Sequence, residues 1–443
     1  MTAPTRFAPP LITATGRDES VIGYAPRPLP GRLCAIRRVF GVLPETRLLP
    51  HLDTSPFPAP SADEQAHSAE LGARIRDEIR QHGSIPFWRF MELALYAPGL
   101  GYYSAGKTKF GAAGDFITAP ELGSLFARCV ARACAPVLRA SGDAEFIEVG
   151  GGSGAFAVAA LAEWEQLGCL PQRYRILDRS AELRERQRAA LAAKLPHLLE
   201  RIDWPDTPPE TPWRGVLFAN EVIDALPVHR FVMREREPRE VHVALADDGR
   251  FIEVEREADA MLIAAVAALQ RDLEEPLAEG YRSEVLPQLP WWIDAVCGRL
   301  EAGLAVFVDY GYPRREYYLP QRDDGTLICH YHHRAHGDAL RWPGLQDITS
   351  FVDFTALALA GTHARLPLAG FNSQAAFLLA AGILDLVEQA LDLSEIERYR
   401  LAQEVKRLTL PGEMGERFKL MCFARGVDRV PEPFTRHDQS RRL

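Results

Sequence analysis

Short apolar segments alternate with segments of helical period between residues 145 and 219, and this alternation constrains the fold more than any other feature. The predicted strands span 145–149, 174–178 and 215–219, and the helices after the first two span 155–167 and 180–195. Strand–helix alternation of this kind gives a parallel sheet with helices on its faces. The apolar segment 304–312 continues the sheet, and 417–425 is its last predicted strand. The predicted fold class is therefore α/β.

Other patterns predict how the rest of the chain is organised. Ser61 and Glu64 form a capping-box pattern at the start of a first helix, and Thr118 with Glu121 forms a second such pattern. Asp247-Asp248-Gly249 predicts a hairpin turn within 240–255. Residues 1–60 are predicted to be a disordered or loosely packed, proline-rich extension, and 61–143 a helical lead with a glycine-rich active-site loop. The remaining predicted parts are the first half of the sheet core at 144–239, an α+β insertion at 240–302, the second half of the core with its loops at 303–430 and a tail at 431–443.

Composition excludes several classes of function. The 443 residues carry a formal net charge of -9, so no general basic surface indicates nucleic-acid binding. No apolar run is long enough to span a membrane. The seven cysteines include no CxxC pair, which predicts buried free thiols, no zinc site and a reducing, cytoplasmic location.

The segment EVGGGSGAF, Glu148 to Phe156, joins a predicted strand to a predicted helix. Gly150, Gly152 and Gly154 permit a tight turn and close approach of a ligand to the backbone. With Ala155 the pattern also satisfies a dinucleotide fingerprint, so a nicotinamide site stays open. Glu148 would repel a pyrophosphate but suits an ammonium, and Asp178 at the end of the next strand suits ribose hydroxyls. Together these residues favour S-adenosylmethionine (SAM) as the cofactor.

A buried strand predicted at 215–219 ends in two carboxylates and an amide, Asn220, Glu221 and Asp224. The carboxyl ends of parallel strands share one edge of the sheet, so these groups would meet the donor methyl. Paired carboxylates suit a cationic acceptor such as a guanidinium, whose planar fork matches their geometry. The alternative is that Asn220 caps a short helix and the acids lie in its first turn.

Two further segments carry candidate residues. Asp115 and Phe116 in GDFIT (114–118) would reach the donor or acceptor, while the capping box gives Glu121 a structural role. The segment 326–338 contains His330, Tyr331, His332, His333 and His336 but lacks the helical His spacing of a zinc protease and a clear carboxylate ligand. We interpret it as a polar lining on the acceptor side, with no metal.

Taken in order, these motifs resemble the MidA-type SAM-dependent methyltransferase family, which has bacterial members and a mitochondrial relative tied to respiratory complex I assembly. The matching segments are GYYS (101–104), GDFITAPELGSLF (114–126), EVGGGSGAF, NEVIDALPVHRF (220–231), VDYGY (308–312), 316–338 and 343–358. The resemblance implies a class I, Rossmann-like fold with a helical lead and an insertion. It also implies donor binding by Glu148, Gly150, Gly152, Gly154, Asp178 and Asn220, and catalytic roles for Asp115, Asn220, Glu221 and Asp224. In one departure, Gly151 stands where the family usually has proline, which predicts a looser loop.

The resemblance implies an enzyme that methylates a terminal nitrogen of an arginine in a protein, with a complex I subunit as one acceptor to consider. Glu221 and Asp224 would orient the guanidinium. Two alternatives stay open: a SAM-binding assembly factor that acts by holding a client protein, and a methyltransferase for a small molecule. The oligomeric state is open, with a homodimer as one option.

Overall fold

The computed structural model describes residues 58–105, 118–389 and 394–443, and the predicted extension at 1–60 therefore lies almost wholly outside it. The strands are β1 Ile85–Pro86, β2 Glu145–Val149, β3 Arg173–Leu177, β4 Ile202–Asp203, β5 Trp213–Asn220, β6 His229–Arg234, β7 Glu237–Leu245, β8 Phe251–Glu257, β9 Arg282–Val285, β10 Leu300–Tyr312, β11 Ile328–Tyr331, β12 Arg334–His336, β13 Asp347–Thr349, β14 Val352–Asp353, β15 Leu368–Ser373 and β16 Phe418–Arg425. The α-helices are α1 Ala62–His82, α2 Phe87–Tyr96, α3 Ala119–Leu122, α4 Leu125–Ala140, α5 Ala155–Gln166, α6 Ala181–Lys194, α7 Ala260–Gln270, α8 Leu289–Cys297, α9 Arg314–Tyr317, α10 Phe354–His363, α11 Gln374–Ala380, α12 Ile383–Glu388, α13 Glu395–Thr409, α14 Met414–Arg417 and α15 Glu432–Thr435.

The largest sheet has the strand order β15-β16-β10-β5-β2-β3-β4, with β14 added beside β10. The strands from β10 to β4 pair in parallel, and β16 runs antiparallel to both β10 and β15. The predicted α/β architecture with a mostly parallel sheet is confirmed. Parallel order brings the carboxyl ends of β3, β2, β5 and β10 to one edge, where Leu177, Val149, Asn220 and Val308 stand in adjacent positions.

The apolar run of β5 is explained by burial on both faces of this sheet. Val216 and Phe218 pack into the core on one side, and Leu217 and Ala219 pack into the core on the other. A central parallel strand that is covered by helices on both faces reads as a continuous hydrophobic segment. Its sequence can change to polar residues only where the strand leaves the sheet, which is at Asn220.

A second sheet contains β1, β6, β7, β8 and β9, and its strand pairs are antiparallel. The hairpin predicted around Asp247-Asp248-Gly249 is the β7–β8 connection. However, β6 at His229 already belongs to this sheet, whereas the sequence placed the start of the insertion at residue 240. The sequence did not predict the turn at Glu235-Arg236. The φ angles of these residues, 53° and 70°, suit a two-residue hairpin, but Glu and Arg are not the residue types typical of such a turn.

The predicted start of the chain's first helix is confirmed, because Ser61 and Glu64 exchange both hydrogen bonds of a capping box. The second predicted capping box is wrong. The Thr118 side chain makes no cap bond, and the predicted helix divides at Gly123 into the single turn α3 and the longer α4. Glu121 therefore does not cap this helix, and its side chain accepts a hydrogen bond from Ser153 instead.

Six cysteines lie in the described part of the chain, and all are buried free thiols: Cys129, Cys134, Cys169, Cys297, Cys329 and Cys422. Burial raises the pKa of the Cys129 thiol to about 12, and the charges of Arg132 and Arg128 oppose this rise only in part. Among the helices of residues 58–105, 118–389 and 394–443, none has the length and hydrophobicity needed to cross a bilayer.

Candidate active site

The glycine loop connects β2 to α5 at the carboxyl edge of the sheet. Gly150, Gly152 and Gly154 have φ angles of 73°, 50° and 88°, which L side chains rarely adopt. A β-carbon added at Gly150 would lie 2.9 Å from the Val222 side chain. A β-carbon added at Gly152 would meet no atom of the described residues within 4 Å. The loop therefore presents an open backbone at Gly152, which is what close approach of a ligand requires.

Glu121 holds this loop from outside. The Ser153 hydroxyl donates a hydrogen bond to Glu121 Oε1, and Ser153 Oγ accepts from the Ala155 backbone N–H at 3.3 Å. Sequence reasoning gave Glu121 a capping role because Thr118 stands three residues before it. The division of the helix at Gly123, which the pattern did not reveal, directs Glu121 to the glycine loop instead.

Glu148 is buried at the end of β2, with 4 % of its surface exposed. The Tyr174 hydroxyl donates to Glu148 Oε2 at 2.7 Å. Burial raises the pKa of Glu148 to about 8, with a smaller contribution from the Asp178 charge, while the Tyr174 hydrogen bond opposes the change. A cation brought to this carboxyl would restore its ionised form.

Asp178 follows β3, next along the same edge. Its Oδ1 accepts from the Ser180 N–H at 2.9 Å and its Oδ2 accepts from Gln187 Nε2 at 2.9 Å. Ser180 is the N-cap of α6. Asp178 thus helps to fix the start of α6, and it also lies beside the glycine loop.

Asn220, Glu221 and Asp224 lie in a turn after β5, and residues 221–228 form no helix, so the helix-capping alternative is wrong. Glu221 has φ 53°, which is unusual for a residue with a β-carbon, and its N–H donates to the Val308 carbonyl at 2.9 Å. Asn220 Nδ2 donates to Glu221 Oε1 at 2.9 Å. Burial raises the pKa of Glu221 to about 8, and the nearby Asp224 charge adds to the effect.

Asp224 is buried and is held by the VDYGY segment at the end of β10. The Tyr310 hydroxyl donates to Asp224 Oδ2 at 2.6 Å. Asp309 Oδ2 accepts from the N–H groups of Ile223 and Asp224 at 3.1 and 3.2 Å. Burial raises the pKa of Asp309 well above its usual range, and the charges of Asp224 and Glu221 raise it further. Asp309 and Tyr310 are residues that we did not predict as part of the site, although their segment carried the family resemblance.

Two acceptor oxygens in this turn have no donor. Asn220 Oδ1 and Asp224 Oδ1 are buried, and no polar group of residues 58–105, 118–389 or 394–443 hydrogen-bonds to either. Leaving such an atom unpaired costs roughly 1–3 kcal/mol, so native proteins keep few of them, and each calls for an explanation. Beside Glu221, these oxygens form a group of acceptors suited to a ligand rich in N–H donors.

Two stacked tyrosines adjoin the turn. The rings of Tyr96 and Tyr103 lie 5.5 Å apart; the Tyr96 hydroxyl donates to the Ala225 carbonyl at 2.9 Å and the Tyr103 hydroxyl to Asp347 Oδ1 at 2.8 Å. Burial, together with the charges of Asp347 and Asp224, raises the pKa of Tyr96 far above its ordinary value. The helical lead therefore contributes an aromatic wall beside the carboxylates.

The histidine-rich segment is a β-hairpin. His332 and His333 have φ angles of 48° and 61° and form the two-residue turn between β11 and β12. His330 pairs with Asp347 across β11 and β13, and burial lowers the pKa of His330 to about 4. No group of three or more potential ligands with metal-binding geometry occurs in the described part of the chain. The role of this hairpin as acceptor-side lining stays a prediction, and Asp115 and Phe116 lie outside the described residues.

Comparison with known proteins identifies the family. A family described as "Putative S-adenosyl-L-methionine-dependent methyltransferase" matches residues 129–372. A crystal structure from Burkholderia thailandensis, bound to S-adenosyl-homocysteine, is 43% identical with a TM-score of 0.82, covering 88% of this chain and 100% of that one. Curated relatives are protein arginine methyltransferase NDUFAF7 of Danio rerio, 28% identical over 78% of this chain and 84% of its own, and its Drosophila melanogaster homolog, 27% identical over 84% and 89%.

The chain belongs to this MidA-type family of SAM-dependent methyltransferases. The class I methyltransferase fold and the SAM cofactor predicted from the sequence are confirmed, and the nicotinamide alternative is wrong. The site itself fits SAM on two grounds: the glycine loop is open at Gly152, and Glu148 and Asp178 stand at the ends of adjacent strands beside it. The individual roles of Glu148, Asp178, Asn220, Glu221 and Asp224 stay predictions.

Proposed function

We propose that the protein transfers a methyl group from SAM to the guanidinium of an arginine in a protein acceptor. The observation that carries the proposal is the turn after β5, where Glu221 stands with two buried acceptor oxygens, Asn220 Oδ1 and Asp224 Oδ1, that have no donor among the described residues. A guanidinium supplies five N–H donors and no acceptor, which matches this arrangement. The names of the curated relatives support the same acceptor class.

The turn also supplies what the reaction needs besides binding. When bound, SAM would supply a methyl group on a positively charged sulfur: the acceptor nitrogen bonds to the methyl carbon in line as the S–CH₃ bond breaks, and S-adenosylhomocysteine leaves. Methylation of a guanidinium replaces one N–H bond by an N–CH₃ bond and releases one proton. Glu221, whose pKa is about 8, is suited to accept that proton near neutral pH. Asp224, fixed by Tyr310, orients the guanidinium through its other oxygen.

The test is transfer of labelled methyl from SAM into a lysate of a strain that lacks this protein, followed by mass spectrometry of labelled proteins. We expect wild-type protein to label few proteins, on arginine. Glu221→Gln should reduce labelling by about 10²-fold or more, because a positioned base contributes that much, and should still bind S-adenosylhomocysteine.

Glu235→Gln is the matched control. Glu235 has the same φ of 53° but is exposed in the β6–β7 turn, so its substitution should change nothing. Full activity of Glu221→Gln would remove the proposed role. Label in small molecules alone, or in nothing, from protein that binds S-adenosylhomocysteine would favour a small-molecule acceptor or an assembly factor that holds a client protein.

Three finer aspects belong to the same proposal. We propose that the acceptor is a subunit of a respiratory complex I, that the protein acts in the cytoplasm and that it has the domain division predicted from the sequence, with strand β6 added to the insertion. The buried free thiols support a reducing location. Identification of the labelled protein tests the acceptor, and recovery of tagged protein in a fraction other than the cytoplasm would contradict the location. The oligomeric state is left open.

A further inference from the structure

Gln187 is a buried glutamine that connects three elements of the donor site. It lies on α6 and is 0% exposed. Its Nε2 donates to the Gly152 carbonyl at 3.0 Å and to Asp178 Oδ2 at 2.9 Å. Its Oε1 accepts from the Trp204 indole N–H at 3.0 Å. One amide therefore joins the loop after β2, the carboxylate after β3 and the residue that follows β4.

The glycine loop also packs directly on this side chain. A β-carbon added at Gly151 would lie 2.7 Å from Ile176 Cγ2 and 3.0 Å from Gln187 Nε2. A β-carbon at Gly154 would lie 3.2 Å from the Gln187 Cα. Because Gly151 has no side chain, the amide of Gln187 can reach the Gly152 carbonyl. A proline at 151 would add ring atoms in this crowded space.

We propose that Gln187 is the positioning residue of the donor site, and that it fixes the glycine loop and the Asp178 carboxylate relative to each other. The departure at Gly151 predicted a looser loop, but the loop is anchored from α6 by a side chain instead of being stiffened by a proline ring. A hydrogen bond to a carboxylate is stronger than one between neutral groups, so the amide orients Asp178 as well as the loop. The inference rests on the family's SAM cofactor and is independent of the acceptor.

The test is Gln187→Met, which keeps the length of the side chain and removes all three hydrogen bonds. We expect the Kd for S-adenosylhomocysteine, measured by calorimetry, to rise about tenfold, because the lost bonds position the groups that hold the ligand. The KM for SAM should rise with it, while kcat at saturating SAM changes little. Trp204 fluorescence should also change, since its indole loses a partner, and Trp204→Phe identifies that signal.

Gln374→Met is the matched control. Gln374 is likewise buried, on α11, and its Nε2 donates to the Leu408 carbonyl at 3.0 Å. It should lose stability without a change in the Kd for S-adenosylhomocysteine. A folded Gln187→Met protein with wild-type affinity would overturn the proposal, and so would an equal loss of affinity in Gln374→Met.

A second variant tests the same inference without removing the polar group. Gln187→Glu brings a second carboxylate to Asp178 Oδ2, so the two charges repel each other. We expect S-adenosylhomocysteine to bind this variant more weakly than wild type at pH 8, and the deficit to shrink towards pH 6 as the new carboxyl takes up a proton. A deficit that is absent, or independent of pH, would count against a contact between Gln187 and Asp178 that governs binding.

Discussion

At the scale of single residues, we predict that Glu148 links donor binding to pH. Its pKa is raised from 4.5 to about 8 by burial. The folded protein therefore holds a proton there that the unfolded chain releases, and stability falls as pH rises from about 4.5 to 8. The ammonium group of a bound donor favours the ionised carboxylate, so binding expels this proton. Affinity for S-adenosylhomocysteine should consequently rise with pH up to about 8.

We predict that Glu148→Gln raises the free energy of unfolding of the unliganded protein at pH 8 by roughly 2–4 kcal/mol, and makes S-adenosylhomocysteine bind more weakly and without this pH dependence. Denaturant unfolding and calorimetry at several pH values measure both. Glu163→Gln is the contrast, because Glu163 is buried but paired with Arg128 and Arg132 at 2.7 and 2.5 Å, so its loss should destabilise. A wild-type pH profile in Glu148→Gln would refute the link.

On the proposed acceptor side, we expect Tyr310 to link binding to pH through Asp224. Burial raises the pKa of Asp224, and the hydrogen bond from Tyr310 opposes that rise. Tyr310→Phe should therefore raise the pKa of Asp224 further. Because the acceptor cation needs the ionised carboxylate, we predict that the acidic limb of the kcat/KM profile moves to higher pH. The other acids facing this region are Glu221, Asp309 and Asp347. If the acidic limb of the kcat/KM profile does not move in Tyr310→Phe, the group that titrates there is one of these three and not Asp224.

At the scale of elements, the junction between α3 and α4 decides how Glu121 reaches the glycine loop. The carboxylate of Glu404, on α13, accepts from the Leu125 N–H at 2.6 Å and so satisfies the first turn of α4. A β-carbon added at Gly123 would lie 2.1 Å from this carboxylate. The junction thus depends on Gly123 and on Glu404, which lies 279 positions after the Leu125 N–H that it binds.

We predict that Gly123→Ala destabilises the protein by roughly 1–3 kcal/mol, the usual cost of overpacking, and weakens binding of S-adenosylhomocysteine because Glu121 loses its position beside Ser153. Thermal unfolding and calorimetry check the two effects. Gly142→Ala is the control, since a β-carbon there would meet nothing within 4 Å among the described residues. Unchanged affinity in a destabilised Gly123→Ala protein would separate the junction from the donor site.

At the scale of the whole molecule, the site is assembled by strand order. Asp178, the glycine loop and the Asn220–Asp224 turn stand at the carboxyl ends of β3, β2 and β5, and Asp309 lies near the carboxyl end of β10; these four strands are neighbours in the sheet. Residues far apart in sequence therefore meet at one edge. The wall of Tyr96 and Tyr103 comes from the helical lead, and Asp347 comes from a third sheet, β11–β13. Donor and acceptor regions are thus built from different parts of the chain.

The amino-acid sequence determined those features that arise from local chemistry. Period and apolar runs predicted β2, β3, β5, α5 and α6 to within about two residues, because a doubly covered parallel strand has to be apolar throughout. The polar residues that end those strands, Glu148, Asp178 and Asn220, were found for the same reason.

Only the tertiary structure decided which long-range partners fix these residues. No local pattern in the sequence indicates the contacts of Gln187 and Glu404, because their partners lie in other elements, and the VDYGY motif gave no sign that Tyr310 bonds to Asp224. The roles of Glu121 and of the His332-His333 turn were misjudged or unresolved for the same reason. The helix predicted from the capping pattern ends at Gly123, and Thr118 makes no cap bond. The turn at His332-His333 consists of two residues with β-carbons, and such residues adopt positive φ much less often than glycine does.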